Sequence, residues 1–124
     1  MLTRFVIIIL LLTTIGSRGV ADEFKDGDVF YCETEGLADF DKGNDWKLRS
    51  YQDQKFKFKI SDGKMRFSGN SFFQDASFKI SNMFLELLEH TGPNEHFFLV
   101  ERRFVFTRTH YVGTLMMVGT CDKF

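Results

Sequence analysis

The chain has 124 residues, of which 16 are Lys or Arg and 17 are Asp or Glu. Residues 22–124 carry 14 basic and 17 acidic residues, and the formal charge of this part of the chain is about −3. This acidic excess argues against a nucleic-acid partner, because proteins that neutralise phosphates carry a basic domain or a basic stripe. The length fits one domain and leaves no room for a second.

The first segment of the chain has the layout of a secretory signal peptide. Arg4 precedes an unbroken apolar run at residues 5–12, and the small residues Gly19 and Ala21 follow. The run is far shorter than the roughly 20 apolar residues that a membrane-spanning helix needs. We therefore expect cleavage after Ala21, a mature single domain of residues 22–124, export to a periplasm or extracellular space, and no membrane insertion after cleavage.

Phenylalanine dominates the apolar composition, with 16 residues in a chain that has one proline. Phe, Tyr, Val, Ile and Thr occur in short runs, which favours strands over helices. The rings are interpreted first as a β core. In the alternative interpretation some of them line a cavity, because closed sheets of about eight strands hold either side chains or one small ligand.

The first two predicted strands lie at residues 28–34 and 46–51. The polar residues 35–45 between them predict a long exposed loop. Residues 39–45 resemble the opening of a calcium loop, but the twelfth position holds Ser50 in place of a bidentate glutamate. We therefore expect a polar surface loop and no metal.

A hairpin is the next predicted element. Phe56, Phe58 and Ile60 alternate with three lysines, which predicts a half-buried strand over residues 55–60. The lysines are interpreted as a solvated outer face, with a basic strip for an anionic partner as the alternative. The pair Asp62-Gly63 predicts a type I′ turn into a return strand at 65–67.

Strand-like patterns continue after the hairpin. Residues 77–81 predict one strand and residues 83–90 another, with a short helix over 82–90 as the alternative because of its high helix propensity. Residues 91–94 form a break around the only proline. A long strand at 96–107 is either buried on both sides or bulged at 101–103.

The last predicted strand spans residues 110–121, where Gly113 and Gly119 mark bends. The whole pattern predicts an all-β fold, a small antiparallel meander of seven to eight strands that forms a barrel or a sandwich. Cys32 lies in the first strand and Cys121 in the last. In an exported chain this pair predicts a disulfide, which requires the first and last strands to be close.

No recognised catalytic motif is present, and the histidines His90, His96 and His110 share no metal-ligand spacing. We expect all three at turns or on the surface. The sequence therefore predicts no cofactor and no enzyme activity. A secreted enzyme without a recognisable motif, built around these histidines, remains an alternative.

Three short matches resemble one known family. Tyr31-Cys32, the segment Ser68-Gly69-Asn70-Ser71-Phe72 and Cys121 are similar to the bacterial inhibitors of c-type lysozyme. The resemblance implies a small exported β-barrel with a disulfide between its first and last strands, and a Ser-Gly-x-x-Tyr segment that enters the lysozyme cleft. Phe72 stands in place of the family's tyrosine. Ser68, Gly69 and Phe72 are the candidate partner contacts.

These observations predict a monomeric, exported, non-enzymatic binding module. Its partner is expected to be a small apolar ligand or a protein. A secreted or periplasmic inhibitor of a hydrolase such as lysozyme is the alternative function.

Overall fold

The computed structural model describes residues 23–69 and 71–124, so the predicted signal peptide lies outside the described residues. The described chain is an antiparallel all-β meander of ten strands in a curled half-barrel sheet. No helix in this part of the chain is long and apolar enough to cross a membrane. The strands are β1 (Val29–Asp41), β2 (Leu48–Ser50), β3 (Lys55–Ser61), β4 (Lys64–Ser68), β5 (Ser77–Lys79), β6 (Asn82–Phe84), β7 (Leu87–Thr91), β8 (Glu95–Val100), β9 (Arg103–His110) and β10 (Gly113–Lys123).

The first and last strands form the centre of the sheet, whose order is β5-β4-β3-β1-β10-β9-β8-β7-β6. β1 and β10 pair from Phe30 opposite Lys123 to Asp41 opposite Gly113. Cys32 lies directly opposite Cys121, and the two form a disulfide across 89 residues of sequence. The predicted disulfide is thus confirmed. A disulfide of this kind persists in a non-reducing environment, as an exported protein would meet.

The prediction of a long exposed loop at residues 35–45 is wrong. β1 continues to Asp41, and only a short 3-10 helix, Lys42–Asn44, precedes β2. The polar residues are tolerated in β1 because its second half pairs with β10 on one edge and β2 on the other. One extra residue between Thr34 and Gly36 makes a bulge. The even-numbered residues of β1 point inward before the bulge, and the odd-numbered residues point inward after it.

The strand count is ten rather than seven or eight because tight turns divide the longer predicted strands. Residues 82–90 form the β6–β7 hairpin, not a helix, and Leu85 turns with a φ of 50°. Residues 96–107 form no continuous or bulged strand, because Glu101 turns the chain with a φ of 56° between β8 and β9. The last strand begins at Gly113, and His110 ends β9. The Asp62-Gly63 turn has the expected positive φ angles of 54° and 72°.

Phenylalanine side chains fill the concave side of the sheet. Strand alternation directs Phe58, Phe97 and Phe106 inward, and each is at most 1% exposed. Phe73, from the connection between β4 and β5, packs edge-on against Phe106 with ring centroids 4.9 Å apart. The interior therefore consists of interlocking rings. The buried rings are those of Phe24, Phe30, Phe56, Phe58, Phe67, Phe73, Phe78, Phe97, Phe104 and Phe106.

His90 contradicts its prediction as a turn or surface residue, because its relative exposure is 6%. Its ring stacks on Phe78 with centroids 4.5 Å apart. Its Nδ1 donates to the backbone oxygen of Lys79 over 2.6 Å. The Ser81 amide also donates to the Glu89 oxygen over 2.7 Å. His90 therefore helps to hold β7 beside β5, where the sheet curls back on itself.

Removal of the disulfide should destabilise the protein strongly. The double variant Cys32→Ser/Cys121→Ser releases a loop of 89 residues, and we expect the free energy of unfolding to fall by about 2–5 kcal/mol. Urea unfolding followed by circular dichroism measures the change. Glu33→Ala/Thr120→Ala is the matched control, because these residues form the next cross-strand pair; it should cost about 1 kcal/mol or less. Equal losses in the two variants would contradict the prediction.

Candidate functional site

The three candidate contact residues line two different depressions. Ser68 ends β4 and Gly69 follows it with a φ of 88°, and both are exposed. They line a groove of about 460 Å³ together with Tyr31 and Phe124. Phe72 lines another depression, of about 380 Å³, that neither Ser68 nor Gly69 touches. Ser68 and Gly69 therefore line one depression and Phe72 lines another.

The depression beside Phe72 opens at one end of the half-barrel, and we call it the mouth pocket. Its walls are Leu37 of β1, Leu115 of β10 and the ring of Phe72, which is 38% exposed. Leu37 belongs to the buried core and Leu115 packs against that core. The pocket is lined by Leu37, Asp39, Tyr51, Gln54, Phe72 and Leu115.

Local sequence explains why these side chains meet. After the bulge in β1, Leu37 and Asp39 share the inward face, because side chains alternate along a strand. Asp39 lies opposite Leu115 on β10 and opposite Arg49 on β2. Phe72 enters from the connection between β4 and β5, where the neighbouring Phe73 is only 2% exposed and anchors the segment in the core.

Asp39 and Tyr51 line one side of the mouth pocket, and with Arg49, which is not part of the lining, they form a polar trio. Arg49 donates from Nε and Nη2 to the two oxygens of Asp39, over 3.2 and 3.0 Å. The Tyr51 hydroxyl donates to Asp39 Oδ2 over 2.5 Å. Because both acceptor oxygens are engaged, the trio holds a fixed geometry.

The hydrogen bonds within the trio shift three pKa values. Those from Arg49 and then Tyr51 lower the pKa of the Asp39 carboxyl. The hydrogen bond to Asp39 raises the pKa of the Tyr51 phenol and also raises the pKa of the Arg49 guanidinium. Asp39 is therefore a carboxylate near neutral pH, and Tyr51 keeps its proton.

A second arginine lies over the aromatic side of the pocket. The guanidinium carbon of Arg108 is 5.3 Å from the ring centroid of Phe72 and 5.4 Å from that of Phe106. Its Nε is 3.9 Å from a carboxylate oxygen of Glu95. The pocket lining thus combines apolar walls with hydrogen-bonding groups, and the two arginines, which are not part of the lining, contact Asp39 and Phe72 from outside it. Small-molecule sites usually have this composition, and the volume lies within their usual range of about 300–1,000 Å³.

The histidines do not converge on a catalytic centre. His90 faces the core, where its Nε2 lies 3.1 Å from Glu95. His96 faces the outer side, with Nε2 2.7 Å from Glu89, and His110 is exposed at the end of β9. Among the residues that the structure describes, no group of three or more His, Cys, Asp or Glu could hold a metal ion.

Leu37, Arg49, Tyr51 and Leu115 are not among the site residues predicted from the sequence. Leu37 lies within residues 35–45, for which the sequence predicts a loop, so the sequence does not predict that its side chain points inward. The alternation of Leu37, Asp39 and Asp41 is the sequence signal that could have predicted a strand here. The bulge before Leu37 shifts this alternation by one residue, so the pattern does not continue that of the first part of β1.

The trio should make stability depend on pH. The folded-state pKa of Asp39 is lowered relative to the unfolded value of about 3.9. The ion pair therefore stabilises the fold above that pH, and its contribution disappears as the pH falls through the folded-state pKa. Asp39→Asn should lower the free energy of unfolding by roughly 0.5–1 kcal/mol at pH 7, in the range of a partly exposed pair.

Urea unfolding of both proteins between about pH 7 and pH 2 tests this dependence. We expect the difference between wild type and Asp39→Asn to shrink towards zero at the acid end. Asp53→Asn removes the same charge at a nearby exposed position and serves as the control. A difference that stays constant over the whole range would contradict the role given to Asp39.

Comparison with protein-family models, with curated proteins and with solved structures gives no match to this chain.

Proposed function

We propose that the protein is an exported, non-enzymatic binding module that takes a small, largely apolar ligand in the mouth pocket. The observation that carries the proposal is the pocket itself: Leu37, Phe72 and Leu115 provide apolar walls beside the trio of Asp39, Arg49 and Tyr51. Ligand sites are common in the mouths of β-barrels, where a rigid sheet holds the lining residues.

The packed interior supports a site at the mouth rather than inside the sheet. Phe97, Phe104 and Phe106 are at most 1% exposed, and the rings of Phe97 and Phe104 stack with centroids 5.6 Å apart. A ligand would have to displace several such rings, each of which loses close contacts when it moves. The mouth pocket requires no such displacement.

The lining also indicates the chemistry of the ligand. An apolar body would contact Leu37, Leu115 and the exposed part of the Phe72 ring. A polar end group would lie near Tyr51 and Gln54 on the other side of the pocket. Apolar contact would supply most of the affinity, and the polar groups would fix the orientation.

Binding is favoured over catalysis by the state of the polar groups. The two oxygens of Asp39 accept hydrogen bonds from Arg49 and Tyr51, and its pKa is lowered. A general base works best with a pKa near the operating pH, and Asp39 is shifted the opposite way. The trio is better suited to orient a ligand than to move a proton.

Titration with a dansyl-labelled fatty acid tests the proposal. Wild type should show saturable fluorescence, whereas Leu115→Arg and Phe72→Asp should weaken binding by about tenfold or more because each puts a charge against the apolar body. Phe84→Asp is the matched control, since Phe84 is 66% exposed on β6 and lies outside the pocket. No saturable binding by wild type, or equal weakening by the control, would contradict the proposal.

Inhibition of a hydrolase such as c-type lysozyme is the second candidate. The observation that favours it is the exposure of Ser68 and Gly69 at the edge of a groove, where an enzyme could reach them. Phe72 is directed to the mouth pocket, so a contact of this type would use Ser68 and Gly69 without the aromatic residue of the resembling family.

A lysozyme assay separates the second candidate from the first. An inhibitor in excess should lower the rate of cell-wall lysis, and Ser68→Arg should remove that inhibition through a clash in the interface. Ser77→Arg makes the same change at an exposed serine on β5 and should leave inhibition intact. An unchanged lysis rate with excess wild-type protein would eliminate lysozyme as the target.

A further inference from the structure

Six cationic side chains cover the outer face of β3, β4 and β5, and we call this surface the basic face. All six are exposed, because strand alternation places them opposite the buried Phe56, Phe58, Met65 and Phe78. The mouth pocket does not include any of them. The basic face consists of Lys55, Lys57, Lys59, Lys64, Arg66 and Lys79.

Folding does not explain this arrangement. Lys59 lies directly opposite Arg66, and Lys64 lies directly opposite Lys79. Like charges in directly opposed positions destabilise a sheet. Lysine on an edge strand can prevent aggregation, which accounts for Lys79 on β5. It does not account for the lysines of β3, because that strand is paired on both sides, with β1 and with β4.

The basic face concentrates positive charge on a molecule whose net charge is negative. Residues 23–124 carry 14 basic and 16 acidic side chains, so the chain outside the basic face has 8 basic against 16 acidic groups. Acidic residues adjoin the face at Asp62 and Glu33, and Asp122 lines the groove beside it. Asp62 lies 3.9 Å from Arg66, and Glu33 lies opposite Lys55 across the strands. A net positive surface therefore remains on a molecule that is otherwise negative, which would orient an anionic partner towards it.

A groove with exposed aromatic rings borders the basic face. The groove measures about 460 Å³ and includes Lys55, Lys57 and Ser68. Tyr31 and Phe124 also line it, with their rings edge to face at 4.5 Å and with exposures of 47% and 79%. Lys57 Nζ lies 6.0 Å from the Tyr31 ring centroid. Cations and an aromatic platform therefore occur together.

We propose that the basic face and this groove bind an acidic polysaccharide, a chain of uronate or sulfated sugars. Lysines would pair with its carboxylate or sulfate groups, and the exposed rings of Tyr31 and Phe124 would pack against the apolar faces of sugar rings. Adjacent strands are about 4.8 Å apart and same-face residues about 6.8 Å apart, so the cations form a grid that suits a chain with repeated charges.

A lipid surface fits the same face less well. Binding to a bilayer surface combines attraction to anionic lipids with the burial of large apolar side chains. The outward positions of β3, β4 and β5 carry only lysine, arginine and serine, and the two exposed rings of Tyr31 and Phe124 lie in the bordering groove, not among these cations. A hydrophilic polyanion satisfies this surface better than a membrane does.

Heparin and polygalacturonate are the probes for the test, with neutral dextran as the uncharged control. We expect wild type to bind both acidic chains and not dextran, with an affinity that falls as salt rises. Lys57→Glu/Lys59→Glu should weaken binding by about tenfold or more. Lys42→Glu/Lys47→Glu reverses two exposed lysines elsewhere and should weaken it much less. Circular dichroism establishes that each variant is folded.

A third variant separates polysaccharide recognition from simple attraction of charges. Tyr31→Ser should weaken heparin binding while leaving elution from a sulfonate cation-exchange resin unchanged. The proposal is overturned by equal weakening in the two double variants, or by an unchanged affinity in Tyr31→Ser. Tighter binding to phosphatidylglycerol vesicles or to duplex DNA than to either polysaccharide would assign the face to a different partner and would also overturn it.

Discussion

The pairing of β1 with β10 is the constraint on which the rest of the structure depends. β1 carries β3 and β2 on its other edge, β10 carries β9, and the Cys32–Cys121 disulfide ties the pair covalently. The two backbones come so close at the bulge that a Cβ at Gly119 would lie 2.0 Å from the Glu33 carbonyl oxygen. Only glycine fits there. Because of the bulge, the odd-numbered residues in the second half of β1 point inward, and Leu37 and Asp39 therefore lie in the mouth pocket.

The packing of the sheet decides where a ligand can bind. Aromatic side chains occupy the concave side, so the available surfaces are the mouth and the outer faces. These surfaces differ in chemistry, because the mouth pocket has apolar walls with a fixed polar trio, whereas β3, β4 and β5 present cations. The apolar ligand site and the anion-binding face that we propose therefore share no lining residue and can be altered independently by mutation.

Strand alternation and cysteine placement were sufficient to predict the fold class. The Lys55–Ser61 strand, the Asp62-Gly63 turn and the disulfide were found because alternation, turn chemistry and an even cysteine pair are local signals. The turns at Leu85 and Glu101 were missed because neither has the glycine or asparagine that usually marks a positive φ.

The mouth pocket was missed for a different reason. It depends on the register between β1, β2 and β10 and on a connection that returns from β4, which no short sequence window contains.

The central claim is that the interior is filled and that apolar ligands bind at the mouth. Crystals pressurised with xenon test it most directly, because dry apolar cavities of about 150 Å³ take up xenon. We predict no xenon among Phe58, Phe97 and Phe106, and bound xenon between Leu37, Phe72 and Leu115. Xenon bound among the rings of the core would contradict the account, since it would reveal an internal cavity that could hold a ligand.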